Sequence, residues 1–167
     1  MSIPLPDELL KLPHTRDIPF ERLTTLGIGG ICRWLFEPST EEEARLFVAS
    51  CVRRGQPYRV LGGGSNLLVT GAVAEPVLRL RLGGKAARSG LEFTAPASHG
   101  HVALAEAAAG AGLSGLEWAG GIPGSLGGAV RMNAGAHGGE WGQVLARYRF
   151  LTPAGELVEK APGPGEF

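Results

Sequence analysis

The sequence predicts an α+β chain, either one ordinary domain or two small subdomains sharing an interface, and three observations lead to it. A β-α-β-β pattern occupies residues 1–82, a Gly/Ala/Arg stretch from Gly83 to Gly90 reads as a turn or boundary, and a second mixed set of strands and helices fills 83–167. Residues 1–23 contain four prolines and read as irregular chain on the surface. Ile31-Cys32-Arg33-Trp34-Leu35-Phe36-Glu37 is rich in β-favouring residues and reads as a strand. Ser39 opens a helix, with Glu42 completing a capping box; Ala44, Phe47, Val48, Cys51 and Val52 follow at helical spacing as its apolar face. The helix runs to about Arg54 and stops at Gly55, with Pro57 beyond. Tyr58-Arg59-Val60-Leu61 is a second strand that delivers the chain into Gly62–Gly64. Leu67-Leu68-Val69 and Val77–Leu82 read as short strands, the latter alternating apolar and basic residues.

In the second half, Leu91–Ala95 alternates as a strand should, and Val102–Ala109 is an alanine-rich helix ending at Gly110. Twelve of the 27 glycines lie between Gly110 and Gly142, a density that argues against regular elements there. Val144–Leu151 and Glu156–Lys160 form a hairpin around Pro153-Ala154-Gly155.

Composition excludes several classes. The formal net charge is zero, which removes the electrostatic case for nucleic acid or an acidic membrane. No apolar stretch is long enough to span a bilayer, and Asp7 and Glu8 spoil a signal-peptide reading, so the expected address is the cytoplasm. Cys32 and Cys51 are the only cysteines, too few for a disulfide framework or a thiolate metal site, and both read as structural. The four histidines share no ligand spacing with acids or thiolates, so no metal is expected. Asp7 and Asp17 are the only aspartates and both precede the first glycine loop. The acidic residue of a dinucleotide-binding Rossmann unit and the Gly-Lys-Ser/Thr of a P-loop are therefore both missing. There is no Gly-x-Ser-x-Gly elbow either.

The chemistry concentrates in two glycine tracts, which hold both asparagines of the chain. In Leu61-Gly62-Gly63-Gly64-Ser65-Asn66-Leu67-Leu68, successive backbone amides can form an anion nest, with Ser65 and Asn66 as directed donors; a tight turn that bonds itself is the alternative. The second tract runs from Gly120 to Gly139. Its content of Ile, Pro, Leu, Val and Met is unlike a flexible linker and favours a binding surface. There Ser125 is placed to donate to a phosphate at a short helix start, and Asn133 to meet a heterocycle edge. His137 is the one histidine expected near a ligand, Glu117 and Trp118 anchor the tract, and Arg131 pairs with a phosphate or with a glutamate such as Glu140. Two such loops suggest two walls gripping one large phosphate-bearing cofactor.

Taken together, the segments Thr24-Thr25-Leu26-Gly27-Ile28-Gly29-Gly30, Leu61–Leu68, Gly115-Leu116-Glu117 leading to Gly121–Ala129, and Met132-Asn133-Ala134-Gly135-Ala136 with Gly138 resemble the UDP-N-acetylenolpyruvoylglucosamine reductases, flavoenzymes of peptidoglycan precursor synthesis. The four segments stand in family order over nearly the whole chain. The resemblance implies a vanillyl-alcohol-oxidase-type FAD-binding fold of two α+β subdomains with FAD between them. It implies cofactor contacts from Leu61, Gly62, Gly63, Gly64, Ser65, Asn66 and Leu67, and from Gly121, Ile122, Pro123, Gly124, Ser125, Gly127, Gly128, Ala129, Asn133, Ala134 and Gly138. NADPH is the implied reductant, and hydride then passes from the flavin to the enolpyruvyl double bond of a UDP-sugar.

The chain departs from the family in two places. His137 stands where the family often has Tyr. The family's catalytic arginine follows a Glu-Phe like Glu166-Phe167, and its serine and glutamate lie later still, so no catalytic residue is expected within this chain. The expectation is an FAD-binding portion with little turnover alone. A related flavin oxidase and a non-catalytic flavin-binding module are the alternatives.

Overall fold

The N-terminal residues expected to be irregular instead contain helix α1 (Asp7–Leu10), strand β1 (His14–Pro19) and a 3-10 turn at Phe20–Arg22. The computed structural model describes residues 5–166. β1 pairs antiparallel with β2 (Ile31–Phe36), from His14 opposite Phe36 to Pro19 opposite Ile31. The prolines misled the reading because β1 is an edge strand, where a missing N–H leaves no ladder bond unmade. Asp17 interrupts the ladder at φ +53°, and its carboxylate accepts a 2.7 Å hydrogen bond from Arg33.

Helix α2 (Glu41–Arg53) starts one residue later than predicted. Thr40 is the N-cap, its hydroxyl accepting from the Glu43 amide while Glu43 reaches back to the Thr40 and Ser39 amides. Its buried face is Ala44, Phe47, Val48, Ser50 and Cys51; Val52 is exposed. Ser50 is buried because it donates to Glu8 of α1, which Arg53 also holds. Gly55 at φ +59° follows the helix end.

The predicted strands around the first glycine loop are shorter than read. β3 is Arg59–Val60 and β4 is Val77–Leu78, although the Arg79 and Arg81 amides still bond Phe36 and Pro38 carbonyls. Leu67–Val69 forms no strand. The sheet order is β1-β2-β4-β3, with β2 and β3 both parallel to β4. Phe36, Phe47, Val48, Cys51 and Leu78 fill one face against α2; Phe20, Leu23, Cys32, Leu35, Leu61 and Val77 fill the other.

Both cysteines lie in these cores and are fully buried, and burial pushes each thiol up to about 11. The native protein should therefore react with a thiol reagent at pH 7.5 only as fast as it opens, both thiols becoming reactive together in denaturant. Reaction of either thiol at the rate of a free cysteine would contradict the packing.

The second half begins with a hairpin of β5 (Ala87–Ser89) and β6 (Glu92–Thr94), so the predicted boundary stretch contributes a strand. α3 (His101–Gly110) follows, then a 3-10 turn (Glu117–Gly121), α4 (Leu126–Arg131), the two-residue strands β7 (Gly135–Ala136) and β8 (Gly139–Glu140), and α5 (Trp141–Val144). The glycine-rich tract is thus ordered into short elements, stitched by the buried core of Leu104, Ala129 and Trp141. The final hairpin is β9 (Tyr148–Leu151) and β10 (Leu157–Lys160), turning through Gly155 at φ +80°.

These elements divide into two compact units. One holds the described residues up to Leu82 together with Phe150–Val158; the other holds Gly83–Arg149 and the described residues from Glu159 onward. Among the described residues no helix is long and apolar enough to cross a membrane.

Candidate functional site

In the first unit, the parallel strands β2, β3 and β4 end at the same edge of the sheet, and β3 runs from that edge directly into the first glycine loop. Leu61 is held by its amide on the Leu78 carbonyl (2.8 Å) and is buried in the core. Gly64 turns the chain at φ +71°, and its carbonyl accepts from the Thr25 amide at 3.0 Å. A Cβ there would lie 2.1 Å from the Leu23 carbonyl oxygen, so only glycine fits. The Thr24–Gly30 segment therefore braces the loop from behind. In front, Gly63 and Asn66 are exposed and Gly62 is half-buried. Among the described residues no hydrogen bond takes up the Gly62 or Gly63 amide or the Asn66 side chain. Ser65 is half-buried, and Leu67 is exposed beside the loop. The loop is held at Leu61 and Gly64 and open at the Gly62 and Gly63 amides and the Asn66 side chain, an arrangement that suits an anion lying against the backbone.

The second tract, in the second unit, differs from the expectation at the start of α4. Ser125 is the N-cap, and its Oγ accepts from the Gly128 amide at 3.4 Å. The Leu126 amide bonds the His99 carbonyl at 2.7 Å, and the Gly127 amide bonds Ala97 at 2.8 Å. Gly127 is glycine because its Cβ would meet that of Ala97 at 2.9 Å. The first-turn amides are therefore spent inside the protein, and this turn can offer a phosphate only the Ser125 hydroxyl proton.

Ahead of that turn, Gly120 and Gly121 are exposed, adopt no positive φ, and have open space where a Cβ would go. No contact with a described residue requires glycine at either position, whereas a ligand against the bare backbone would. Ile122 is tied by its amide to the Ala119 carbonyl, and Pro123 and the half-buried Gly124 (φ +133°) carry the chain on to Ser125.

Asn133 is also more occupied than expected. It sits at φ +42° after α4, and its Oδ1 accepts from the Gly142 amide at 2.8 Å, capping α5. The Ala134 amide closes on the Ala129 carbonyl, and both alanines pack in the core with Trp141. His137 and Gly138, at φ +52° and +84°, form the two-residue turn between β7 and β8, a geometry that glycine and asparagine favour. Arg131 is exposed and makes no ion pair among the described residues, with Glu140 or any other group.

Sequence reasoning missed the aromatic scaffold behind this tract. Trp118 donates to the Gly115 carbonyl and stands edge-on to Trp141, with ring centroids 5.6 Å apart. Trp141 in turn donates to Nδ1 of the fully buried His101 at 3.4 Å. Glu117 accepts from the Gly115 amide at 2.7 Å; that amide and its own hold its carboxyl below the usual carboxylate range. The sequence offered Glu117 and Trp118 as anchors of the tract, but not the partner each would take. A separate cavity of about 450 Å³ beside the Asp17–Arg33 pair involves none of the predicted residues.

Comparison with known proteins completes the picture. A UDP-N-acetylenolpyruvoylglucosamine reductase of Synechococcus is 44% identical over 147 residues, covering 87% of this chain and 47% of that protein. One from Listeria monocytogenes is 39% identical over 151 residues, covering 88% and 51%. The crystal structure of the reductase from Thermus caldophilus superposes with a TM-score of 0.72 at 35% identity, covering 90% of this chain and 52% of that one. The chain spans about half the length of the curated relatives it matches. The α+β architecture is the FAD-binding fold of the vanillyl-alcohol-oxidase type. Residues 33–160 match the family described as the FAD binding domain, and to that family the chain belongs.

Proposed function

We propose that this chain is the flavin-holding part of a UDP-N-acetylenolpyruvoylglucosamine reductase, which reduces an enolpyruvyl UDP-sugar with NADPH in cytoplasmic cell-wall precursor synthesis and so serves cell shape and division. The observation that carries the reading is the pair of unclaimed amides at Gly62 and Gly63, on a loop fixed from behind at the carboxyl edge of a parallel sheet. Bound FAD supplies hydride-transfer chemistry that no side chain here can provide. Leu61–Leu67 hold the diphosphate through backbone amides and Asn66. In the second unit, Gly121–Ser125 lie against the cofactor with the Ser125 hydroxyl as donor; Gly127, Gly128, Ala129, Asn133, Ala134 and Gly138 keep that tract in shape.

Titration of the purified chain with FAD, followed by flavin absorbance and fluorescence, is expected to give a yellow complex with negligible NADPH oxidation. A chain that stays colourless removes the flavin reading, and brisk substrate-dependent turnover removes the division of labour. Gly121→Ala gives a sharper test, since the added methyl has no atom of a described residue within 4 Å. Its melting temperature should stay within about 1 °C of wild type while FAD affinity falls roughly tenfold. Unchanged affinity would mean that no ligand lies on this stretch.

A further inference from the structure

Arg79 is the most exceptional charged group in the first unit. Its side chain is only 19% exposed, yet its guanidinium makes no hydrogen bond with any described residue. The nearest carboxylate oxygen is Glu37 Oε1 at 3.9 Å, and Arg81 already holds that same oxygen at 2.7 Å. Two guanidiniums thus share one carboxylate, leaving a local excess of positive charge. Burial, and then the like charge of Arg81, hold the Arg79 pKa below its usual value despite Glu37. A half-desolvated cation with unclaimed donors is costly to keep unless a partner arrives from outside.

The register shows where that partner would lie. Val60 stands opposite Leu78, so Leu61 and Arg79 are the next neighbours across the same pair of strands. Val77 and Leu61 share one core face, and the alternation of side chains puts Arg79 and Arg81 on that face as well. Glu37 follows β2 in the same way. Arg79 is therefore flanked by Glu37 on one side and by the strand leading into Gly62 and Gly63 on the other, all at the carboxyl edge of the sheet.

We propose that Arg79, with Arg81 beside it, is the cationic half of a diphosphate-binding site whose other half is the Gly62–Gly63 backbone. The proposal deepens the flavin reading, but its ligand chemistry is the diphosphate itself. Planar guanidinium donors complement phosphate oxygens, and the amides alone carry no full charge to balance them.

The test uses FAD and inorganic pyrophosphate as separate probes, with thermal melting of every variant. In wild type both probes should bind, and more weakly as salt rises. Arg79→Gln should weaken both about tenfold, and Arg79→Lys should restore part of the loss. Glu37→Gln provides the opposite sign: it should lower the melting temperature while tightening both probes severalfold, because it releases the guanidiniums. If Glu37→Gln and Arg79→Gln weaken binding alike, in step with their loss of stability, Arg79 only braces Glu37 and the proposal falls. Equal affinities in wild type and Arg79→Gln also overturn it. Pyrophosphate binding that depends on Arg79, in a chain that ignores FAD, would sustain the site and remove the flavin reading. Binding of neither probe removes both.

Discussion

Gly64→Ala is expected to lower the melting temperature by roughly 10 °C and to remove measurable FAD binding. Two effects add. The position sits at φ +71°, which costs an L-residue about 1–2 kcal/mol. The new methyl would also lie 2.1 Å from the Leu23 carbonyl oxygen and 2.9 Å from the Thr24 Cα. These obstacles are backbone atoms, so no rotamer change relieves them, and the loop must separate from the Thr24–Gly30 segment. A total near 3 kcal/mol and a slope of about 2–4 °C per kcal/mol give the predicted shift. The separation also breaks the hydrogen bond from Thr25 to Gly64, which ties down the loop that carries the Gly62 and Gly63 amides. Differential scanning calorimetry together with FAD titration checks both parts. A variant that melts within 2–3 °C of wild type, roughly 1 kcal/mol, would show that the loop is not pinned as described.

The second large effect belongs to Gly139→Ala. An alanine methyl there would meet Trp118 Cδ1 at 2.2 Å and Cγ at 2.5 Å, near the root of the indole where the ring has least freedom to swing away. Trp118 is held on its other side by Trp141 and by its hydrogen bond to the Gly115 carbonyl. Expelling the indole should cost about 2–3 kcal/mol, the usual range for overpacking a fitted core. A double-mutant cycle isolates the cause. In a Trp118→Ala background the same glycine substitution should cost under about 1 kcal/mol, because the obstacle is gone. Equal costs in the two backgrounds would mean that Gly139 is needed for its backbone and not for the ring lying on it.

Both substitutions act where the sequence was legible in part. The glycines of Leu61–Leu68 and of the Gly120–Gly139 tract were read as places where backbone comes close to something else, and Gly64, Gly127 and Gly139 are such places. For these three the close neighbour is the protein itself: Leu23, Ala97 and Trp118. Gly120 and Gly121 have open space before them and no such close neighbour among the described residues. Composition cannot separate the two kinds, because the distinction depends on residues remote in sequence. Ser125 shows the same limit. Its place at a helix start was readable from the glycines and small residues around it, but the amides expected there for a phosphate are spent on His99 and Ala97, carbonyls from the approach to α3. Asn133 was read as a hydrogen-bonding amide, and its Oδ1 is used to cap α5.

Local chemistry alone determined the strand at Ile31–Phe36, the capped helix that follows it, the helix ending at Gly110, the last hairpin, and the glycine positions where the chain turns. Each rests on preferences acting over a few residues: side-chain alternation, a cap three positions from its partner, a φ open mainly to glycine. Tertiary structure alone decided that His14–Pro19 would be a strand, that Leu67–Val69 would not, and that Arg79 would stand half-buried with its donors unclaimed by any described residue. Strand pairing and the satisfaction of a polar group both require a partner delivered from elsewhere in the chain, and which partner arrives is set by how the whole sheet and its cores pack.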